Sequence, residues 1–367
     1  MPHSDLCDWA MGIPPELLAE IFLWVKDSAQ DPLLECRVLG EICGRWRSIA
    51  LGTPHLWTSV MLVSSTEPHV DLRHVPAILA LASSSIQRSG QLPLKLSLNA
   101  MWFRNHQLRN HQRPLELLLS QSQRWEDVIV YYLHRNTMLT ILATNNFTSL
   151  KTLRFSVSLL NWDQSTNIIV LPNLTFLELA RAATWLLRRF STPQLDHLQL
   201  QSALRHYDTS DIRGLVERSA CPLTRLALRD IPTVQVVDDV HLIALFETLF
   251  HLVELEISYS LAERAGDLFT DALLTRLRAQ KTVPCVMPKL RRISVGDLSR
   301  SSLDLLLDVL ESRTSHEMGC ATLQSAQLHY QTSREFSTPT MLRVRALCDS
   351  GMGVEIQMDG QWVDIHA

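Results

Sequence analysis

The chain has 367 residues, 46% of them hydrophobic and 20% charged, with a formal net charge of -4. Its mean hydropathy is +0.04, which supplies enough apolar material for one large domain or two to three ordinary ones and excludes a disordered chain. A pI near 6.4 offers no global field for DNA, RNA or an anionic membrane, so neither nucleic acid nor membrane is expected as a partner.

The opening stretch MPHSDLCDWAMG carries acidic residues where a secretory leader carries positive ones. The longest apolar run, Ala77 to Ala82, falls far short of the roughly 20 residues that a membrane span needs. Seven cysteines are scattered with no C-x-x-C pair, which suits reduced, buried thiols. The expectation is an intracellular protein, cytoplasmic and/or nuclear.

Residues 1–11 read as a tail. Pro14 and Pro15 then suit the first turn of a helix, with Glu16 on the favourable side of its dipole. Leu17, Leu18, Ile21, Phe22 and Val25 recur at helical spacing as one broad stripe, and the polar stretch from Asp27 to Pro32 ends it. A second helix is expected from about Leu33 to Leu51, with Leu39, Ile42, Cys43, Trp46 and Ile49 on one face, closing at Gly52 to Pro54. Helices this short make a marginal core by themselves and need a partner surface, either the rest of the chain or another protein.

Taken together, IPPELLAEIF, ICGRWRSIA and PHLW resemble the F-box, whose pattern is a Leu-Pro opening a helix, a Cys-x-x-Trp late in the next helices and a closing Leu-Trp. The match rests on Pro14, Glu16, Leu17, Leu18, Ile21, Phe22, Cys43, Trp46, Leu56 and Trp57, over roughly residues 12 to 60. Departures are Ile13 in place of leucine, Gly44 where a basic residue is common, and a longer segment between the helices. The resemblance implies docking to a Skp-type adaptor and, through it, to a cullin scaffold in a multi-subunit ubiquitin ligase. It implies Ile13, Pro14, Leu17, Leu18, Ile21, Phe22 and Trp46 as adaptor-binding residues. Trp46 is read either as an interface anchor or as internal packing, and Trp57 as closing the helical core.

Residues 61–91 read as a linker containing a helix, VPAILALASSSIQRSG, followed by an early strand in LPLKLSLNAMWF and a further helix between His106 and Trp125. The run PLELLLSQSQRWEDVIVYY strengthens the resemblance, being similar to F-box proteins of the expanded fungal type. From there the chain repeats itself. LKTLRF, LTFLEL, LDHLQL, LTRLAL, LVELEI and LRRISV share apolar residues at i, i+3 and i+5, and WEDVIV and LQSAQL keep the frame. Positions i+3 and i+5 fall on one face of a short strand, which must stack on neighbours to be buried. The predicted anchors are Val128, Leu153, Leu177, Leu198, Leu226, Leu255, Ile293 and Ala326. Helical segments alternate with them: TMLTILATN, ATWLLRRF, TSDIRGLVERS, DDVHLIALFETLF, GDLFTDALLTRLRA and SRSSLDLLLDVLESR. Near the end, VEIQMDGQWVDI reads as a hairpin turning at Asp359 and Gly360, capping the last unit. The fold class expected is α/β: a short all-helical F-box, then an irregular leucine-rich-repeat-like solenoid over residues 92–367, strands concave and helices convex.

No phosphate loop, dinucleotide fingerprint, H-E-x-x-H or G-x-S-x-G occurs, so no catalytic residue and no cofactor is expected. His106 with His111, and His316 and Glu317 with Cys320, lack the second ligand pair that zinc needs. Asn146 and Asn173 head acceptor-like tripeptides but sit where turns precede strands. What remains is the outward row on each strand: Arg154, Glu178, His197, Gln199, Arg225, Arg229, Glu254, Glu256 and Arg292, with Gln327 and His329 beyond. These are the candidate substrate-binding residues for a protein partner, although Arg154 with Glu178, or Arg229 with Glu254, fall on adjacent strands and can pair with each other instead. The sequence thus points to a non-catalytic substrate-recognition subunit of a Skp-cullin-F-box ligase. The alternative is an interaction scaffold without ubiquitin chemistry whose N-terminal helices only cap the solenoid.

Overall fold

The structure is a computed structural model that describes residues 12–29, 32–62, 75–99, 112–133, 141, 146–157, 167–201, 209–231, 239–259, 270–280, 283–296, 300–314, 319–330, 337–358 and 361–363. It divides into two compact units, residues 1–154 and 155–367. The segment TMLTILATN, almost entirely, and His106, His111, His316 and Glu317 lie outside the described residues.

The first unit begins with helix α1, Pro15–Ser28, opened by Pro14 and Pro15 as the sequence predicts. Helices α2, Pro32–Ile42, and α3, Gly44–Gly52, follow. They replace the single helix expected over 33–51. Cys43 adopts an extended conformation (φ -157, ψ 167), and Arg47 N donates to its carbonyl at 2.9 Å to start a new helix. The break resets the helical phase, so Ile42 is exposed while Trp46 and Ile49 pack against the core. A 3-10 turn, Pro54–Trp57, buries Leu56 and Trp57 beneath these helices. Trp57 Nε1 donates to Ala50 O at 2.8 Å, which closes the helical core as expected.

Strand β1, Ser59–Leu62, starts two residues after Trp57 and pairs in parallel with β2, Leu94–Asn99, across helix α4, Val75–Arg88. Within residues 61–91, expected as a linker containing a helix, the described residues are the end of β1 and helix α4 with the turn after it. After helix α5, Gln112–Leu119, strand β3, Trp125–Leu133, pairs in parallel with β2. Val60, Leu96 and Val128 align across the three strands, all buried. The division between units falls inside β4, Thr152–Val157.

The second unit opens with a small two-stranded parallel sheet, β5 (Ile169–Val170) with β7 (Phe190–Ser191), that the sequence reading lacked. Its main sheet runs β6 (Phe176–Arg181), β8 (His197–Gln201), β9 (Arg225–Ile231), β10 (Glu254–Tyr259), β11 (Arg292–Gly296), β12 (Ser325–Tyr330), β13 (Gly353–Met358) and β14 (Gln361–Trp362). All pairings are parallel except the last, β13 with β14, which forms the expected terminal hairpin. Its turn residues Asp359 and Gly360 lie outside the described residues. Leu177, Leu198, Leu226, Leu255, Ile293, Ala326 and Val354 stand in one register row, each buried. One apolar residue per strand at the same height is what lets neighbours stack without voids.

The connections are helices α6 (Thr209–Ser219), α7 (Asp239–Thr248), α8 (Asp271–Leu277), α9 (Arg300–Ser312) and α10 (Thr338–Asp349), plus a 3-10 helix at Ala182–Arg188 in place of the helix expected from ATWLLRRF. Arginines tie successive connections together, Arg313 and Arg124 from buried positions and Arg218 from an exposed one. Arg218 donates to Leu187 O and Phe190 O, and Arg313 to Leu277 O, Val286 O and Met287 O. In the first unit Arg124 does the same to Leu92 O and Ser89 Oγ. Each planar fork meets carbonyls at the turns, Met287 O being shared with the N–H of Leu290.

Candidate functional site

Two surfaces carry the candidate residues. The first is built on α1, whose apolar residues form two adjoining stripes. Leu18 and Phe22, 1% and 0% exposed, point into a core shared with Cys36, Leu39, Ala50, Leu56 and Trp57. Leu17, Ile21 and Trp24, at i, i+4 and i+7, remain 55%, 45% and 72% exposed. Pro14 is exposed as well. Of the seven residues expected to meet an adaptor, three thus face outward, Pro14, Leu17 and Ile21. Ile13 and Trp46 are half-buried against the core, and Leu18 and Phe22 lie wholly inside. The Trp46 ring packs on Phe22 with centroids 4.9 Å apart and planes at 53°. Its role in holding the helices together is therefore established by contact, with one part of the ring still accessible.

The sequence reading did not single out Trp24, although its spacing from Leu17 and Ile21 is visible there. Nor did it single out the stripe on α2, where Leu34, Val38 and Ile42 are exposed at i, i+4 and i+8. Beneath this surface the helices are pinned. Arg45 Nη2 donates to Ile13 O at 2.5 Å, and Lys26 Nζ to His55 O at 2.7 Å and to Thr58 Oγ1 at 3.1 Å. Burial holds the Lys26 ammonium below its ordinary pKa, since the surroundings disfavour the charged form, while Asp27 partly offsets that.

The second surface is the polar face of the second unit's sheet. Register places Phe176, His197, Arg225, Glu254 and Arg292 in one row, and Glu178, Gln199, Ala227, Glu256 and Ser294 in the next. Arg229 grips Glu256 in two hydrogen bonds, 2.6 Å and 2.8 Å, which raises the guanidinium pKa further. Glu254 lies instead between Arg225 and Arg292, at 3.8 Å and 3.6 Å. The expected partnership of Arg229 with Glu254 is thereby corrected. Arg229 sits four residues beyond Arg225 and two beyond Ala227, the register partner of Glu256, so its fork reaches diagonally to Glu256 rather than to Glu254.

The face continues with Gln201 Nε2 on Asp230 Oδ2 at 2.9 Å, Gln327 Nε2 on Glu355 Oε2 at 2.8 Å, and His329 Nδ1 against Gln357 Oε1 at 2.6 Å. Asp230 has φ +54, at the point where the β9–β10 register shifts. His197 stands edge-on to Phe176 with centroids 4.6 Å apart. Burial lowers its pKa, Arg225 lowers it further, and Glu254 and Asp196 oppose that. Gln199 is buried. In the first unit, Arg154 is half-buried near Asp127, whose carboxyl burial pushes up against the pull of Arg154 and Lys95. Among the described residues no group of three or more His, Cys, Asp or Glu side chains is placed to hold a metal, and no helix is long and apolar enough to cross a membrane.

No protein-family model matches the chain, and no curated protein matches it at a significant level. What the structure defines is an α/β protein with a long, mostly parallel sheet preceded by a three-helix N-terminal element.

Proposed function

We propose that this chain is the substrate-recognition subunit of a Skp-cullin-F-box type ubiquitin ligase: the helices of residues 15–52 dock on a Skp-type adaptor, and the polar sheet face receives a protein substrate. The observation that carries the reading is the bare stripe Leu17, Ile21 and Trp24 on a helix whose other apolar stripe is fully packed. Large apolar side chains grouped on one surface and left in water are the usual mark of a protein contact. The chain itself supplies no chemistry in this role. It raises the effective concentration of substrate near a conjugating enzyme that other subunits hold.

A purely structural role as a solenoid cap uses a different face. The contacts to the first strands run through the 3-10 turn: Arg88 lies over the Trp57 ring, 4.6 Å from its centroid, and Lys95 N donates to Thr58 O at 2.9 Å. Capping therefore leaves Leu17, Ile21 and Trp24 without a purpose. The test is binding of the purified full chain to a Skp-type adaptor, beside a variant carrying Ile21→Asp and Trp24→Ala. Micromolar or tighter binding is expected for the parent and at least a tenfold loss for the variant, both with the same circular dichroism. A folded parent that does not bind the adaptor overturns the proposal.

A further inference from the structure

We propose that Cys285 and Cys320 form a reversible disulfide, a redox-modification site that staples two neighbouring strand units of the second domain. Cys285 lies in the loop leading to β11 and Cys320 in the loop leading to β12, two strands paired in register. The loops run side by side: Ala321 N donates to Pro288 O, and Gln324 N to Arg291 O, both at 2.7 Å. The Cys285 thiol points to Val286 O at 3.6 Å and lies close enough to Cys320 for that thiol to help raise its pKa, and both cysteines are free.

The surroundings hold the two sulfurs in place. Arg313, 1% exposed, donates to Val286 O at 2.6 Å and to Met287 O at 3.3 Å, fixing the chain immediately after Cys285. Met287 at φ +48 and Gly319 at φ +71 set the two turns. Access differs between the partners, because Cys285 is half-buried and Cys320 is buried. Burial pushes the Cys285 thiol up to about 11 in spite of Arg313, so little thiolate is present at neutral pH. The pair stays reduced under ordinary intracellular conditions and responds only to a sustained oxidant load.

A peroxide is the oxidant class that fits. The Cys285 thiolate attacks one peroxide oxygen, the O–O bond breaks, and a sulfenic acid and hydroxide result. The Cys320 thiolate then attacks that sulfur, the S–S bond forms, and the sulfenic oxygen leaves as water after taking up a proton. In sum, two thiols and one peroxide give one disulfide and two waters, the peroxide accepting both electrons. A thiol reductant reverses the change.

The experiment uses the reduced, purified full chain treated with hydrogen peroxide, then digested without reduction and mapped by mass spectrometry. The expected result is a crosslinked peptide pair joining Cys285 to Cys320, lost on adding dithiothreitol, with a thermal midpoint that rises on oxidation and returns on reduction. Cys285→Ser and Cys320→Ser should each abolish the crosslink and the reversible rise. Mapping of the unaltered chain decides the matter even where a variant folds poorly. Oxidation of Cys285 to sulfinic or sulfonic acid, pairing with another cysteine, or no crosslink would each overturn the proposal.

Discussion

The N-terminal helices and the repeat sheet solve the problem of a short element in opposite ways. On α1, half of the apolar surface is packed and the other half, Leu17, Ile21 and Trp24, is left bare. On the polar face of the second unit's sheet, by contrast, Arg229, Glu254, Glu256, Gln327 and His329 each have a neighbour on the next strand. The helical surface therefore gains from any apolar partner that covers it, whereas a ligand on the sheet face must compete with pairs already made. If one surface is a constitutive docking site and the other a selective one, this is the distribution expected.

The comparison is sharpest where burial is complete. Arg313→Met removes four hydrogen bonds to the carbonyls of Leu277, Val286 and Met287 in a site without water access. Each buried acceptor left alone costs on the order of 1–3 kcal/mol, so the variant should lose about 4 kcal/mol in urea denaturation of the full chain. A loss below about 1 kcal/mol would show that the clasp contributes little. Phe22→Ala should cost about 3 kcal/mol through the cavity it leaves under Trp46 and Trp57, while Ile21→Ala, one residue away, should cost under about 1 kcal/mol. Equal losses at the two positions would erase the distinction between the packed and the bare stripe.

Smaller effects belong to the sheet face. Arg229→Gln breaks the fork on Glu256, but both side chains are substantially in solvent, and such pairs contribute roughly 0.2–1 kcal/mol. The loss should shrink as salt is raised, since exposed charges are screened within about 10 Å at 0.1 M ionic strength. A salt-independent loss would mean that packing of the arginine stem, not its charge, matters there.

Legibility in the sequence follows the strength of the period. The anchors at Val128, Leu153, Leu177, Leu198, Leu226, Leu255, Ile293 and Ala326 all lie buried in strands, because the apolar i, i+3, i+5 spacing leaves one choice of inward face. Periodicity failed at Cys43, where apolar residues continue through a backbone break that only φ and ψ record. It also failed at β1, whose four residues are too few to show alternation, and at α10. There the signals existed: Ser337 caps the helix by accepting from Thr340 N, Pro339 sits in its first turn, and Val344 and Leu347 are buried. The arginine clasps were invisible for a different reason. A charged residue reads as solvated by default, and nothing in Arg124, Arg218 or Arg313 announces that three turns will present carbonyls to it.

The finest probe of the sheet face is His197, which lies between Phe176 and the Arg225–Glu254 pair. Burial comes first in lowering its pKa, the charge of Arg225 adds to it, Arg229 adds a little, and Glu254 and Asp196 pull the other way. The folded state thus binds the proton more weakly than the unfolded chain, whose histidine titrates near 6.5. The stabilising contribution is fully present above that value and is lost as pH falls through it toward the lower folded value. Comparing urea midpoints at pH 7.5 and pH 5.5, the parent should lose more stability than His197→Gln, by less than about 1 kcal/mol because the ring is only half-buried. A parent whose loss merely equals that of the variant would mean the row Phe176, His197, Arg225 holds the imidazole no more tightly against its proton than water does.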